Sequence, residues 1–554
     1  MTNQTVCMTA NVPRLIKAQR DTFTHSYAFI AELMQNARRA GATKVDFNFD
    51  ETTNVLAIED DGHGIQSWDK LLCLAESDWN NPDIDEESPF GIGFLSALFS
   101  AQVITIRSRD GVISADTDDL LSGEAIDIET EDFFDGCLVQ LCDLHRKPSA
   151  TDMHYQVTRL ASGFPVPVSF NGTQIERPCA LANLDAIPTE IGMIRLPENP
   201  DKFSFRSLIY LQGLPIARMP QISYQLSGLR DIPAEHEIQN QSIIHLDPSA
   251  FRARLPDRDC LVDEKLAANA IREALKAAFR IRAEQIKASR PERLTYCLDQ
   301  LRDVGCHDLL NDVPYIPPGL VSPLSDQDRQ LPSNIDEFDR RFCAGENEKP
   351  IPMADVVDGK LLLVAESDLS NRDEDETHPW VAQLVKLGYS RLEYGLHEDH
   401  WVNQYLLDTG AIRVDAIVPV NPKPVSRFTL DYANFDLVYC DAVRIESSLG
   451  VTLIDDALVA GEAEPYYVTA RAHSQELGVA LSYFDYDDDK VDDEYRTDCE
   501  DRFRAWMKAQ AASDPTQLLH GLLETLNLAG FSDLRGRSFK LSVGGDYKLT
   551  VEAA

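Results

Sequence analysis

Three short motifs follow one another between Glu32 and Phe99, and their order constrains this chain more than any bulk property. The first is Glu32-Leu-Met-Gln-Asn36-Ala. It lies in SYAFIAELMQNARRA (Ser26 to Ala40), where Tyr27, Ile30, Ala31, Met34 and Ala37 recur at helical period, Ser26 can cap the start and Gly41 marks the stop. Residues four apart stand one above the other on a helix, so Glu32 and Asn36 reach the same place. A carboxylate there can take a proton from an attacking water, and an amide oxygen can complete the octahedral shell of a Mg²⁺ held by phosphates. The second motif, Asp60-Asp61-Gly62-His63-Gly64-Ile65, follows directly on an alternating run that ends at Glu59. A carboxylate at a strand end accepts a hydrogen bond from an exocyclic amine such as adenine's, while glycines let the backbone approach a flat base. The third, Phe90-Gly91-Ile92-Gly93-Phe94-Leu95-Ser96-Ala97-Leu98-Phe99, opens an apolar helix with two glycines and offers N–H groups to a polyphosphate.

Taken singly, each motif has a bland reading as a solvated helix face, a turn or a bend. Their setting argues otherwise. Lys44 to Phe49 and Asn54 to Glu59 alternate like paired strands, and further strands are expected at Val103 to Arg107 and Leu138 to Leu141. A helix, two strands, a second helix and more strands predict an α+β protein whose residues 1–150 form a two-layer α/β sandwich. Residues 151–290 read as a second α/β domain, with a hairpin at Asn171-Gly172 and a long helix from Asp263 to Ala288. A Pro-rich linker or extended arm is expected over 291–335, then a mixed α/β acidic region over 336–554 with a helical pair near Cys499 to Ala529.

Together the motifs resemble the Bergerat-fold ATPases, the superfamily of gyrase, the ninety-kilodalton heat-shock chaperones, histidine kinases and MutL proteins. ELMQNARRAGATKV is similar to that family's N-box helix and strand, DDGHGI to its adenine box, and FGIGFLSALF to its phosphate-lid box in the heat-shock form. The resemblance implies ATP and Mg²⁺ as ligands and hydrolysis to ADP and phosphate. It makes Glu32 the general base, Asn36 the Mg²⁺ ligand and Asp60 the adenine acceptor. Gly62 and Gly64 then lie near the base, Gly91, Gly93 and Phe94 belong to the lid over the phosphates, and Gln66 to Pro89 becomes a helix followed by that lid. Asp135-Gly136-Cys137-Leu138-Val139 matches a late-strand element of the family, with Cys137 where threonine is usual. Two more departures are Arg39, where the family often has aspartate, and Ser88, where it often has glycine. Ser204 to Met219 resembles the transducer strands of MutL and gyrase, which makes Arg206 or Arg218 the candidate cation that senses the γ-phosphate.

Charge and missing motifs narrow the function. A net charge of -39 opposes a constitutive duplex-DNA clamp, since phosphate contacts need positive partners. The polar start lacks an apolar secretory core and no run is long enough to span a membrane, which predicts a cytoplasmic protein. The eleven scattered cysteines show no metal spacing and read as reduced. There is no GxxxxGK[ST] loop, GxSxG elbow or HExxH. Glu366, Ser367 and Asp368 after KLLLVA resemble a toprim start only faintly, and a buried strand ending in solvated acids is the preferred reading. His397 and His400 are expected in a polar helix or loop. Asp485 to Asp501, ten acids against two bases, is expected to be a solvated or disordered loop. The expected protein is thus a heat-shock-ninety-like ATP switch, a homodimer acting on a protein client. The alternatives are a MutL- or topoisomerase-like DNA-maintenance or defence ATPase and a nucleotide-gated scaffold with little turnover.

Overall fold

The computed structural model describes residues 16, 27–71, 93–217, 238–254, 258–324, 348–370, 379–393, 395–429, 434–459, 465–472, 493–523, 532–545 and 548–553. The chain divides into two compact units. One comprises residues 1–289 and 297–306, the other 290–296 and 307–554.

The first unit begins with α1 (Ala28–Arg39), nine of whose twelve residues are buried. It ends where Gly41 takes φ 71° and Ala42 N donates to Ala37 O, a left-handed stop that glycine adopts without steric cost. The expected cap Ser26 lies outside the described residues, and Tyr27 precedes the helix without a side-chain cap. Strands β1 (Val45–Asp50) and β2 (Val55–Asp60) form an antiparallel pair. After the short helices α2 (Trp68–Leu71) and α3 (Leu95–Leu98) come two sixteen-residue strands, β3 (Ala101–Asp116) and β4 (Glu129–Leu144), with α4 (Thr117–Ser122) between them. Helix α5 (Ala150–Ala161) leads to β5 (Val168–Phe170) and β6 (Thr173–Gln174). The sheet order is β3-β4-β2-β1-β5-β6, antiparallel except for β1 against β5. Alternate strand residues (Val45, Phe47, Leu56, Ile58, Ile104, Ile106) share one core with Ile30, Leu33 and Met34 of α1, which is the second layer. At Asn171-Gly172 both φ angles are positive, 46° and 78°, as a tight hairpin requires.

A second sheet in the same unit has the order β10-β9-β11-β8-β7. It is built from β7 (Ile187–Thr189), β8 (Gly192–Arg195), β9 (Ser207–Leu211), β10 (Leu214–Pro215) and β11 (Ser242–Leu246). The helix α6 (Glu264–Ser289) follows, its inner stripe carrying Ile271, Leu275 and Phe279. The protein is therefore α+β, as its sequence pattern implies.

Three expectations fail in detail. Residues 291–324 are not an extended arm: short helices at Pro291–Leu294 and Leu298–Val304 and strands at Tyr315–Ile316 and Val321–Pro323 occupy them. Pro291 sits at the first helical position, where its missing N–H costs nothing, and Leu301, Leu310 and Ile316 are fully buried. The described part of the acidic run, from Asp493, is not a loop but starts the helix Asp493–Ala511, which buries Phe503 against Phe428. The helical pair continues with Pro515–Leu523.

In the second unit the strand Leu362–Ala365 lies parallel to Tyr389–Leu392. Glu366 is not a solvated acid there; it is buried and paired with Arg391 at 2.8 Å. Asp368 accepts from Thr409. Among the described residues no helix is long and apolar enough to cross a membrane.

Candidate functional site

Helix α1 carries Glu32 and Asn36 four residues apart, on one face. Glu32 is only 3% exposed, and a bare carboxylate so placed costs free energy unless it is paired. Its partner is Arg258, 8% exposed, whose Nε donates to Oε1. Arg258 sits 226 residues downstream in a compact loop where Arg254 N donates to Cys260 O and Val262 N to Arg252 O. Its φ of 57° is left-handed, a conformation that costs a non-glycine residue roughly 1–2 kcal/mol. The loop thus holds a strained backbone with a guanidinium on the acid. On the other side, Gly93 approaches so closely that a Cβ built there would lie 2.1 Å from Glu32 Oε2. Phe94 is half-buried against the core. Gly91 and Ser88 lie outside the described residues, as does Arg218, while Arg206 is exposed.

Asn36 is half-buried at the same end of the helix, and Arg39 Nη1 donates to its Oδ1 at 3.3 Å. The neighbouring Gln35 is fully buried. Its amide donates to Gln212 O at 3.0 Å, tying α1 to the turn between β9 and β10.

The loop after β2 is shaped by close backbone contacts. Asp60 Oδ1 accepts from Gly62 N at 2.9 Å, whereas Asp61 turns away to accept from Thr43 and Lys44 and so staples the loop to the start of β1. Burial pushes the Asp60 carboxyl up to about 6. Gly64 has φ 71°, and a Cβ there would meet Ser108 Oγ at 2.6 Å and Gly136 O at 2.8 Å. Gly136 in turn has φ 101°, and its Cβ would strike Asp60 O at 2.0 Å. Ser108 locks these pieces by donating to Gly136 O and accepting from Ile65 N. Cys137 pairs with Asp60 across β4 and β2, and burial raises its thiol well above the ordinary range. A neutral S–H beside the acid leaves no competing charge.

Glu32, Asn36, Asp60, Gly62, Gly64, Gly93, Phe94 and Cys137 all belong to the first unit, with Glu32 and Gly93 in contact and Asp60 facing Cys137. The arrangement fits a nucleotide in two respects. A half-buried carboxylate stands at the end of β2, where an amine can be accepted, and an acid with a cation beside it lies next to Gly93. The sequence reading missed Arg258 and Ser108, neither of which sits in a motif. By contrast His400 is buried, its ring nitrogen accepts from Val402 N, and burial holds it near 4, while His397 accepts from Asp399 N. These are loop caps, and among the described residues no three His, Cys, Asp or Glu side chains group as metal ligands.

Residues 24–131 match the model of a family described as histidine kinase-, DNA gyrase B- and HSP90-like ATPases. No curated protein matches the chain.

Proposed function

Residues 24–131 are a domain of the histidine kinase-, DNA gyrase B- and HSP90-like ATPase family, and on that premise we propose that the protein is a Mg²⁺-dependent ATP-hydrolysing switch whose closing cation is Arg258. The observation that carries this reading is the buried Glu32–Arg258 pair. Bound Mg²⁺-ATP supplies an electrophilic phosphorus and a γ-phosphate that demands positive charge. Glu32 takes the proton of the attacking water, and Arg258 balances the charge that develops. Asn36 offers Oδ1 to the metal once Arg39 yields it, and Asp60 accepts from the adenine amine beside Cys137. Gly62, Gly64, Gly91, Gly93 and Phe94 let the backbone and lid close over the nucleotide. Because Arg258 belongs to the loop leading into α6, its position couples the acid to the rest of the first unit. The output is a change of state felt by a protein client, in a heat-shock-ninety-like manner, with a homodimer as the working form in the cytoplasm. The net charge of -39 disfavours the alternative of a DNA-maintenance ATPase.

Phosphate release, measured beside ATP binding, tests the reading. Glu32→Ala is expected to bind ATP normally with turnover down at least about 100-fold, and Arg258→Ala to lose about 10²–10³ in kcat, the scale set by removing one charge-stabilising donor. Wild-type turnover no higher than that of Glu32→Ala would refute hydrolysis. A second reading, a nucleotide-gated scaffold, draws on one observation: Glu32 and Asn36 are both already engaged by arginines.

A further inference from the structure

A cavity of about 750 Å³ opens in the first unit between α5, the segment after β6 and strand β9. It shares no lining residue with the cluster around Glu32 and Asp60. Its floor is rigid. Tyr210 Oη and Ser162 Oγ are hydrogen-bonded at 3.1 Å, the Tyr210 ring stacks on His245, and His245 Nε2 donates to Cys179 O at 2.7 Å. A Cβ at Gly163 would lie 2.3 Å from the Tyr210 ring, so that position must stay glycine to keep the floor. Leu208 and Ile175 give it apolar walls.

Two guanidinium groups line the same space. Arg177 Nη1 donates to Phe164 O and Pro165 O, both at 2.7 Å, which fixes its plane. The one side-chain hydrogen bond of Arg159 among the described residues runs from Nε to Gln156 Oε1 at 3.3 Å. Desolvation pulls both guanidinium pKa values down. Asp259 acts on Arg159 electrostatically, yet among the described residues neither arginine has a carboxylate within ion-pair distance. The acid that lines the cavity, Glu176, is exposed. A guanidinium withdrawn from water without a carboxylate is costly, and an oxyanion matches its donor fork. The cavity's size falls within the range of small-ligand pockets.

We propose that this cavity is a second ligand site for a small organic oxyanion, with its carboxylate or phosphate on Arg159 and its apolar body against Leu208 and Ile175. The site is independent of the nucleotide reading.

Calorimetric titration of the full chain with phenyl phosphate, phenylacetate and the neutral benzyl alcohol tests it, together with hydrogen exchange of the wild type. At least one of the two anions is expected to bind saturably, and that anion identifies the headgroup. Its affinity should be unchanged in Asp60→Asn and at least about tenfold weaker in Arg159→Gln, and benzyl alcohol should show no dependence on Arg159. Bound anion should protect backbone amides at 158–162, 174–179 and 207–211. Absence of saturable binding by both anions overturns the proposal, as does equal anion affinity in Arg159→Gln. Loss of anion binding in Asp60→Asn would do the same by placing the probe in the nucleotide site. Should Arg159→Gln fail to fold, the wild-type exchange pattern decides, and protection elsewhere refutes the site.

Discussion

Asp60 carries two opposed pH dependences. Its carboxyl is raised from 3.8 to about 6 because burial penalises the charged form. The folded value thus exceeds the unfolded one, so the stability this group contributes is fully present below about pH 4 and is lost as pH rises through 6. Acceptance of the adenine amine has the opposite sign, because it is strongest when the carboxylate is ionised. ATP affinity is therefore expected to climb between pH 5 and 7 by roughly tenfold, while Asp60's own contribution to nucleotide-free stability falls over the same window. Asp60→Asn should flatten both curves and, at pH 7, raise the stability of the nucleotide-free protein by about 1–3 kcal/mol. Parallel calorimetric and denaturant titrations check this, and an ATP affinity flat in pH for the wild type would remove Asp60 from adenine recognition. At Gly93 the constraint is steric. A Cβ 2.1 Å from Glu32 Oε2 must displace the acid, so Gly93→Ala should cut kcat about 10²-fold with ATP affinity held within a few-fold.

Elements show why some of this could be read from the sequence and some could not. Helix α1 was legible because apolar positions recur along it, and Glu32 and Asn36 follow from the same spacing. The turn glycines were legible as motifs, yet their reasons are not local: Gly64 is forced by Gly136 O and by Ser108 on β3, and Gly136 by the backbone of Asp60. Arg258 had no signal, being one arginine in a loop more than two hundred residues from its partner. Prolines disguised the helices after residue 290, and acids disguised the Phe503, Trp506 and Met507 stripe of the helix Asp493–Ala511. Gln35 was equally hidden, since a polar residue on an N-box helix reads as solvated. It is instead the strut between α1 and the β9–β10 turn, where Gln212 has φ 55°. Gln35→Met keeps its volume while leaving Gln212 O unpaired and removing the Oε1 that accepts from Arg38 Nε. That should cost about 1–3 kcal/mol in denaturant unfolding. A change below a few tenths would mean that the strut transmits nothing.

At the scale of the molecule, the chain leaves its first unit at Ser289 and returns to it for Cys297–Cys306. The returning helix Leu298–Val304 is tied down by Gln300 Nε2, which donates to Asp201 O at 2.7 Å. Leu301 and Cys297 are fully buried and Leu298 nearly so. Truncation at the end of α6, where the helical period stops, would therefore strip part of the core it was meant to preserve. Burying each leucine contributes about 1.5–3 kcal/mol, so a fragment of residues 1–306 should exceed one of 1–289 by about 3–5 kcal/mol after partial relaxation of the exposed face. For a unit of about 300 residues that corresponds to roughly 5–8 °C in the thermal midpoint. Leu301→Ala within 1–306 should recover part of the difference, about 2–4 kcal/mol, and thereby assign the effect to this helix rather than to chain length. Equal midpoints for the two fragments would show that residues 297–306 contribute no core to the first unit.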